Sequence, residues 1–193
     1  MQSLEVLPRH FFERDPEIVA KELLGKRLIR KSGALSLEGI IVETEAYYGL
    51  SDPASRVFHG IKDFNRPMWE EPGRAFVYNV HRYWMFNIVA HEPDRIGAVL
   101  IRALEPTKGI EIMKRNRPVQ NESNLTNGPG KLTIALKIDR SLNRVAVTSS
   151  KSDIIIANRK TMIEIGSSNR IGVKKDLNRK LRFYVKGNRF VSR

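Results

Sequence analysis

Apolar and polar residues alternate in several short runs, a pattern that predicts β-strands separated by turns. The first two runs, KRLIRK and LSLEGIIVETEAYY, flank Ser32-Gly33 and predict a hairpin. The aromatic segment 74–90 predicts either one long bent strand or a tight hairpin around Val80-Arg82. Four further strands are predicted: AVLIRAL at 98–104, DIIIANR at 153–159, TMIEIG at 161–166 and LRFYV at 181–185.

Helices are indicated at three places. Asp15 can cap a helix that begins at Pro16 and ends before Gly25. A second helix is expected from Pro106 to about Arg115, and KLTIALKI predicts a third. Helices among strands, without strict βαβ alternation, predict an α+β fold with a mainly antiparallel sheet, as a single domain over residues 1–193.

The run VETEAYY at 42–48 places two carboxylates close to aromatic residues. In a regular strand, Glu43, Glu45 and Tyr47 would share one face, and the alternate residues of 42–46 would pack on a core. A solvated polar face is the simplest interpretation. The alternative is a partly buried carboxylate whose raised pKa suits it to deprotonate water. Two carboxylates roughly 6.5–7 Å apart would also suit a glycoside hydrolase.

Charge changes this picture, because the chain carries a net charge of +13 and has a pI near 10.2. Such a field attracts polyanions and favours nucleic acid over a neutral polysaccharide, although lysines that only confer solubility would give the same charge. The basic segment 170–193 contains the apolar run LRFYV, so we expect it to dock as a strand.

Several classes of site have no support in the sequence. Cysteine is absent, and the four histidines lack the spacing of metal ligands, so no metal site is predicted. No apolar run could span a bilayer, and residues 1–15 do not form a secretory signal, so we expect a soluble intracellular protein without membrane contact.

Three further features are candidate parts of a site. Gly128-Pro129-Gly130-Lys131 is either a phosphate-binding helix start or a plain helix-entry turn. The aromatic residues of 78–86 could stack on bases or belong to the core. The Pro/Gly-rich segment 49–73 is a long loop, and long loops often carry function.

A set of motifs spread over nearly the whole chain resembles the alkyladenine (3-methyladenine, methylpurine) DNA glycosylase family. In chain order the motifs are VETEAYYG-x-x-DPAS, GRAFVY, Asn87, VLIRALEP, GPGKL and RIGV followed by LRFYVKGNRFVS. The resemblance implies one mixed domain on a curved antiparallel sheet, surrounded by helices. It implies hydrolysis of the N-glycosidic bond of damaged purines in double-stranded DNA, without metal or cofactor. The target nucleotide would be flipped out of the duplex.

The resemblance also implies roles for three residues at the reacting bond. Glu45 would be the general base that activates water and stabilises positive charge on the sugar. Arg102 would help to hold that water and the adjacent phosphate. The backbone carbonyl of Ile171 would give the water a third contact. Glu43 has no implied catalytic counterpart and is expected to act structurally or electrostatically.

The implied base-binding residues are Tyr47, Tyr78 and Asn87. The two tyrosines would sandwich the flipped base, and the stacking would be stronger for a cationic alkylated base. Asn87 would crowd the 2-amino group of normal guanine. Lys131, in GPGKL, is a candidate DNA contact, as are residues 81 and 82.

Two positions depart from the usual family pattern. Arg56 stands where relatives usually carry a histidine against the base. Its planar guanidinium can still stack and donate hydrogen bonds, but it should repel a cationic lesion more than neutral hypoxanthine. Nearby His59 could substitute if the loop runs differently. His81-Arg82 stands where many relatives have tyrosine then glycine, so the wedge that fills the gap in the duplex would be a smaller imidazole.

The leading hypothesis is a monomeric, monofunctional glycosylase that begins base-excision repair. A non-enzymatic basic nucleic-acid-binding protein is the second, and a carbohydrate hydrolase is the third.

Overall fold

Eight β-strands form one antiparallel sheet in the computed structural model, which describes residues 4–192. They are β1 Arg27–Ser32, β2 Leu35–Tyr48, β3 Ala75–Val80, β4 Tyr83–Val89, β5 Gly97–Lys108, β6 Ile154–Ala157, β7 Ile165–Ser168 and β8 Arg182–Val185. The order is β3-β4-β5-β2-β1-β6, and β8 pairs with β2 and β7. The predicted α+β fold, with a curved antiparallel sheet and surrounding helices, is confirmed.

Strand β2 is the longest strand and organises the sheet. One edge pairs with β5 along most of its length. The other edge pairs first with β1 up to Ile40 and then with β8 from Glu43 to Glu45. The basic carboxyl-terminal segment therefore docks as a strand, as predicted, and it docks beside the two glutamates.

A β-bulge interrupts the regular alternation of β2, since its register with β5 shifts between Ile41 and Thr44. Ile41 and Ala46 both enter the main core although five positions separate them, which strict alternation does not allow. Val42 packs instead in a small cluster with Ala103 and Phe190. Val42 and Ala46 are therefore both buried in apolar clusters, as predicted, but in different clusters, and the bulge is the reason.

Three α-helices cover the sheet in the described residues: α1 Pro16–Leu23, α2 Ile110–Asn116 and α3 Pro129–Ala135. The Asp15 side chain accepts a 2.7 Å hydrogen bond from the Glu17 amide, so α1 begins as predicted. Helix α1 packs on β2, and the Thr44 hydroxyl donates to the Ala20 carbonyl at 2.8 Å. This helix thus covers the β2 face opposite the glutamates.

The predicted start of the second helix at Pro106 is wrong. Pro106 lies inside β5 and pairs with Gly39, next to a shift in register where a residue without an N–H is tolerated. Helix α2 begins only after Gly109, whose φ of +75° makes the turn out of the strand. Long-range pairing with β2 outweighs the local tendency of proline to start a helix.

The aromatic segment forms a tight hairpin of β3 and β4, the second of the two predicted alternatives. Its tip is His81-Arg82, and His81 has a φ of +54°. The predicted strand at 161–166 is displaced, since β7 begins at Ile165 and Met162 is fully exposed. None of the helices within residues 4–192 has the length and apolar character that a bilayer crossing requires.

Candidate active site

An open cavity of about 680 Å³ lies where the β2–β5 region of the sheet meets two loops. The segment before β8 contributes residues 171–175, and the loop after β2 contributes Pro53, Ala54, Arg56, Phe58 and His59. Pro129, at the start of α3, also borders it. Five of the predicted site residues line this cavity: Tyr47, Arg56, Tyr78, Arg102 and Ile171. The long loop is thus part of a candidate site.

Glu45 lies directly behind this lining and is fully buried. Its carboxylate accepts 2.8 Å hydrogen bonds from the Tyr47 hydroxyl and the Ile171 amide. Nη1 of Arg102 lies 3.3 Å from the same carboxylate. All three partners line the cavity, so Glu45 lies one hydrogen bond or ion pair away from the cavity wall. The contact between Ile171 and Glu45 runs through the Ile171 N–H, and the role of the Ile171 carbonyl in holding a water molecule stays a prediction.

Burial raises the pKa of Glu45, although Arg102, the Ile171 amide and the Tyr47 hydroxyl partly offset this effect. Burial and the neighbouring Glu45 also raise the pKa of Tyr47 well above its usual value. Tyr47 therefore keeps its proton and remains a hydrogen-bond donor. A carboxylate with a raised pKa, held by three donors, is suited to take a proton from water.

Glu43 is also fully buried, so a solvated polar face on β2 is wrong. It accepts hydrogen bonds from Nε of Arg102 at 2.8 Å and from Nε of Arg182 at 2.7 Å. The amide and hydroxyl of Ser192 each donate to it at 2.7 Å. Glu43 and Glu45 meet the same guanidinium, so Arg102 is fixed between two carboxylates.

The two glutamates differ in their expected ionisation. Burial opposes the charge on Glu43, but Arg102, Ser192 and Arg182 outweigh it, and the net effect is a lowered pKa. Glu45 has fewer compensating partners, and its pKa is raised. Glu43 thus remains an anion that holds Arg102, while Glu45 is free to exchange a proton.

Arg170 supports Tyr47, a contact that no motif in the sequence indicated. Its guanidinium carbon lies 4.5 Å from the centroid of the Tyr47 ring. Both terminal nitrogens donate to the carboxylate of Asp52 at 2.7 Å, and Nη1 also donates to the Ala46 carbonyl at 2.9 Å. The arginine and the aspartate are both fully buried. Their motifs, RIGV and DPAS, were recognised, but 118 positions separate the partners and no local pattern pairs them.

Arg56 and Tyr78 lie together at another wall of the cavity. The Arg56 guanidinium carbon is 5.1 Å from the Tyr78 ring centroid. Phe76 stacks on Tyr78 with centroids 4.8 Å apart. Burial raises the pKa of Tyr78, so it also stays a neutral phenol. Tyr47 and Tyr78 therefore present two neutral rings to the cavity, each with a guanidinium beside it.

The other predicted site residues lie outside the cavity lining. Asn87 is buried, and its amide nitrogen donates to the carbonyls of Phe76 and Met85. His81 and Arg82 are exposed at the hairpin tip. Lys131 donates to the Asn127 side chain at 2.8 Å. The GPGK motif does form a helix entry, and the site residues at 81, 82, 87 and 131 stay predictions.

The aromatic hairpin supplies both core and exposed rings. Phe86 is fully buried, Trp84 packs against the core and Tyr83 is exposed. A side chain at Gly130 would come within 2.9 Å of Tyr83, so this glycine allows α3 to approach the hairpin closely. The hairpin and the start of α3 therefore form one rim of the cavity.

Two other kinds of site, a metal site and a second cleft, can be compared with this cavity in the described part of the chain. Within residues 4–192, no three His, Asp or Glu side chains cluster so as to hold a metal ion. A second cleft is bordered by three carboxylates, of Asp15, Glu92 and Asp94, and one arginine, Arg95, so its border is acidic on balance. Its acidic border would repel a phosphate backbone, so the cavity beside Glu45 is the better candidate for a nucleic-acid substrate.

Known proteins resemble this chain over nearly its whole length. The sequence profile of methylpurine-DNA glycosylase (MPG) matches residues 10–189. A protein of Aeropyrum pernix is 39% identical over 97% of this chain and 93% of its own length. Proteins of Latilactobacillus sakei and Carboxydothermus hydrogenoformans are 40% and 42% identical, over 100% and 97% of this chain and 93% and 99% of their own lengths. Each of the three is provisionally named a 3-methyladenine DNA glycosylase. The chain therefore belongs to the methylpurine-DNA glycosylase family, whose members hydrolyse N-glycosyl bonds in DNA repair.

Proposed function

We propose that this protein removes alkylated or deaminated purines from double-stranded DNA, with Glu45 as the general base. The substrate class includes 3-methyladenine, 7-methylguanine, hypoxanthine and ethenoadenine. The observation that carries the proposal is the buried Glu45 carboxylate, with a raised pKa, behind a cavity lined by Tyr47 and Tyr78. A nucleotide must leave the base stack to enter such a cavity, so base flipping is part of the proposal.

The proposed chemistry is hydrolysis at C1′ of the flipped nucleotide. Glu45 takes a proton from a water molecule, and the water oxygen bonds to C1′. The bond from C1′ to the purine nitrogen breaks, and its electron pair leaves with the base. The carboxylate also stabilises positive charge on the sugar in the transition state. The Ile171 amide and the Tyr47 hydroxyl would orient the carboxylate, and Arg102, 3.3 Å from it, would contact the attacking water.

Two aromatic rings are suited to bind the base. Stacking on Tyr47 and Tyr78 is open to any purine, since every base has a π-face. Arg170 and Asp52 hold Tyr47 from behind, so the ring is fixed before the base arrives. A rigid ring loses little freedom on binding, and that supports the choice of Tyr47 as a base contact.

The surroundings of the cavity are suited to the phosphate backbone. Lys174 and Lys175 are exposed and line the cavity. His81 and Arg82 project at the exposed hairpin tip, where a wedge into the duplex would lie. With a net charge of +13, the protein attracts DNA at long range. We propose that it works inside the cell as a monomer.

Glu45→Gln tests the proposal and separates an enzyme from a DNA-binding protein. The variant should lose excision of hypoxanthine and 7-methylguanine in single-turnover assays while binding the same duplexes as tightly as wild type. Because burial raises the pKa of Glu45, its charge costs folding stability at neutral pH, and the variant should not unfold at a lower temperature.

Glu38→Gln is the matched control for that change. Glu38 also lies on β2 and pairs with Lys108 at 3.3 Å, but it is remote from the cavity lining. This variant should excise at the wild-type rate. Excision that survives Glu45→Gln would refute the role of Glu45, and wild-type protein that binds duplex without cutting any lesion would favour the non-enzymatic alternative.

A further inference from the structure

We propose that Arg56 makes the site selective for neutral purines with two hydrogen-bond acceptors at the six-position and N7, hypoxanthine first among them. Arg56 would also stabilise the purine as it leaves. This inference rests on the proposed function and narrows its substrate class from alkylated and deaminated purines in general to one chemical type.

The loop presents the Arg56 side chain to the cavity from a fixed backbone. Its neighbours Ser55 and Val57 are buried, while Arg56 itself is exposed and lines the cavity. The buried Asn65 side chain donates to the Arg56 carbonyl at 2.8 Å and to the Gly60 carbonyl at 3.0 Å. The guanidinium can change rotamer, but its anchor point cannot move far from the cavity wall.

The charge on Arg56 is uncompensated, unlike that of the other arginines at the site. Arg102 contacts Glu43 and Glu45, and Arg170 contacts Asp52. Between residues 4 and 192, no carboxylate oxygen lies within the 4.0 Å ion-pair distance of Arg56. Water screens this charge while the cavity is open. The guanidinium lies over the Tyr78 ring, 5.1 Å from its centroid, so a base that stacks on this ring must turn the guanidinium toward the base edge. The base also displaces the water there and meets the full charge.

A guanidinium discriminates between purines by charge and by hydrogen bonds. Its two parallel N–H groups match the O6 and N7 acceptors of a 6-oxopurine. Hypoxanthine offers both acceptors and is neutral, and ethenoadenine offers two ring nitrogens at the same edge. In 7-methylguanine the methyl group blocks N7 and the base is cationic. In 3-methyladenine the six-position carries a donor, and that base is cationic as well.

The same contact assists the breaking of the bond for neutral bases. When the bond between C1′ and N9 breaks, its electron pair moves into the purine, and negative charge grows on O6 and N7. A cationic lesion leaves as a neutral base and gains nothing from a donor there. A neutral hypoxanthine leaves as an anion, which the Arg56 hydrogen bonds stabilise until it takes a proton from solvent.

The test compares single-turnover excision of hypoxanthine and 7-methylguanine from matched duplexes at saturating protein. Wild type should cut hypoxanthine faster. Arg56→Met keeps the length but removes the charge and the donors. It should slow hypoxanthine excision about tenfold or more, the usual effect of one charged hydrogen bond, and leave 7-methylguanine excision unchanged or faster. Arg56→Lys keeps the charge without the fork, so both lesions should be cut slowly.

Arg66→Met is the matched control, because Arg66 is exposed on the same loop but outside the cavity lining. It should leave the ratio of the two rates at the wild-type value. The inference would be overturned if wild type excised 7-methylguanine faster than hypoxanthine. It would also be overturned if Arg56→Met, with an unchanged Tm, lost the same factor in excision rate on both lesions. Excision of both lesions with no preference would overturn it and leave the proposed function intact. Absence of all excision would refute the proposed function itself.

Discussion

Glu43→Gln is the substitution whose consequences the structure defines most fully. Glu43 is completely buried and accepts four hydrogen bonds, from Arg102, Arg182 and twice from Ser192. Glutamine preserves the shape but removes the negative charge between two arginines. Those arginine side chains are only 7% and 12% exposed, so water cannot replace the lost partner.

Removal of one member of a buried ion pair destabilises a protein by about 3–5 kcal/mol. A glutamine side chain can still accept a hydrogen bond from Ser192, so we expect a destabilisation at the lower end of this range, about 3 kcal/mol. For a chain of this size each kcal/mol lowers Tm by roughly 2–4 °C, which gives a fall of about 6–12 °C. The protein should remain folded at 25 °C, because native domains have about 5–15 kcal/mol of stability. Single-turnover excision should also slow about tenfold or more, since Arg102 loses the anchor that orients it.

Urea unfolding and thermal melting of Glu43→Gln, wild type and the control Glu38→Gln measure the effect. Glu38 pairs with Arg27 at 3.6 Å and Lys108 at 3.3 Å. The Glu38 side chain is itself only 13% exposed, but those of Arg27 and Lys108 are 37% and 62% exposed, so water can solvate both cations when the charge is removed, and the loss should cost about 1 kcal/mol. Equal losses for the two variants would refute the reasoning, because they would show that the charge of Glu43 contributes no more than a surface pair.

The pH dependence of stability provides a second check that the charge of Glu43 stabilises the fold. Arg102, Ser192 and Arg182 outweigh the burial of Glu43 and lower its pKa in the folded protein. A lowered folded pKa gives stability that is complete above the ordinary value of 4.5 and is lost as the pH falls below it. The difference in unfolding free energy between wild type and Glu43→Gln should therefore become smaller in acid. A difference that grows in acid would contradict the lowered pKa of Glu43.

Four further predictions concern the reaction and the substrate. Arg102→Ala should slow single-turnover excision on saturating DNA, and an unchanged rate would reduce its role to phosphate binding. The excision rate should fall as the pH drops through the pKa of Glu45, which burial places above 4.5, and a fall only below that value would refute the raised pKa. Arg170→Met should lower stability by about 3 kcal/mol or more, because Asp52 is left buried without its partner, and adding Asp52→Asn should restore part of the loss. Raising the salt concentration should weaken duplex binding steeply, whereas a flat response would rule out a basic DNA-binding surface.

Local patterns were sufficient to predict much of the sheet. The hairpin of β1 and β2 follows from two apolar runs around Ser32-Gly33, and the start of α1 follows from Asp15-Pro16. These features depend on residues close in sequence. Pro106 shows the limit, because its pairing with Gly39 on a distant strand decides its conformation.

The site was predictable in its residue types but not in its contacts. Tyr47, Arg102 and Ile171 all contact Glu45, and their roles toward water and base stay predictions. The bulge in β2 was not foreseen, since it depends on how β5 pairs with that strand. Long-range partners were not foreseen for the same reason, and Arg170, which supports Tyr47, is the main example.

The hydrogen bonds from Ser192 to Glu43 connect positions 149 apart in the chain. The anchor of Arg102 is therefore complete only when residue 192 is present and docked beside Glu43. A chain still being synthesised, or one cut before residue 192, can form the hairpin of β1 and β2 but leaves that arginine poorly held. We expect a protein cut before residue 192 to bind DNA but to excise damaged bases slowly, because Arg102 has lost part of its support.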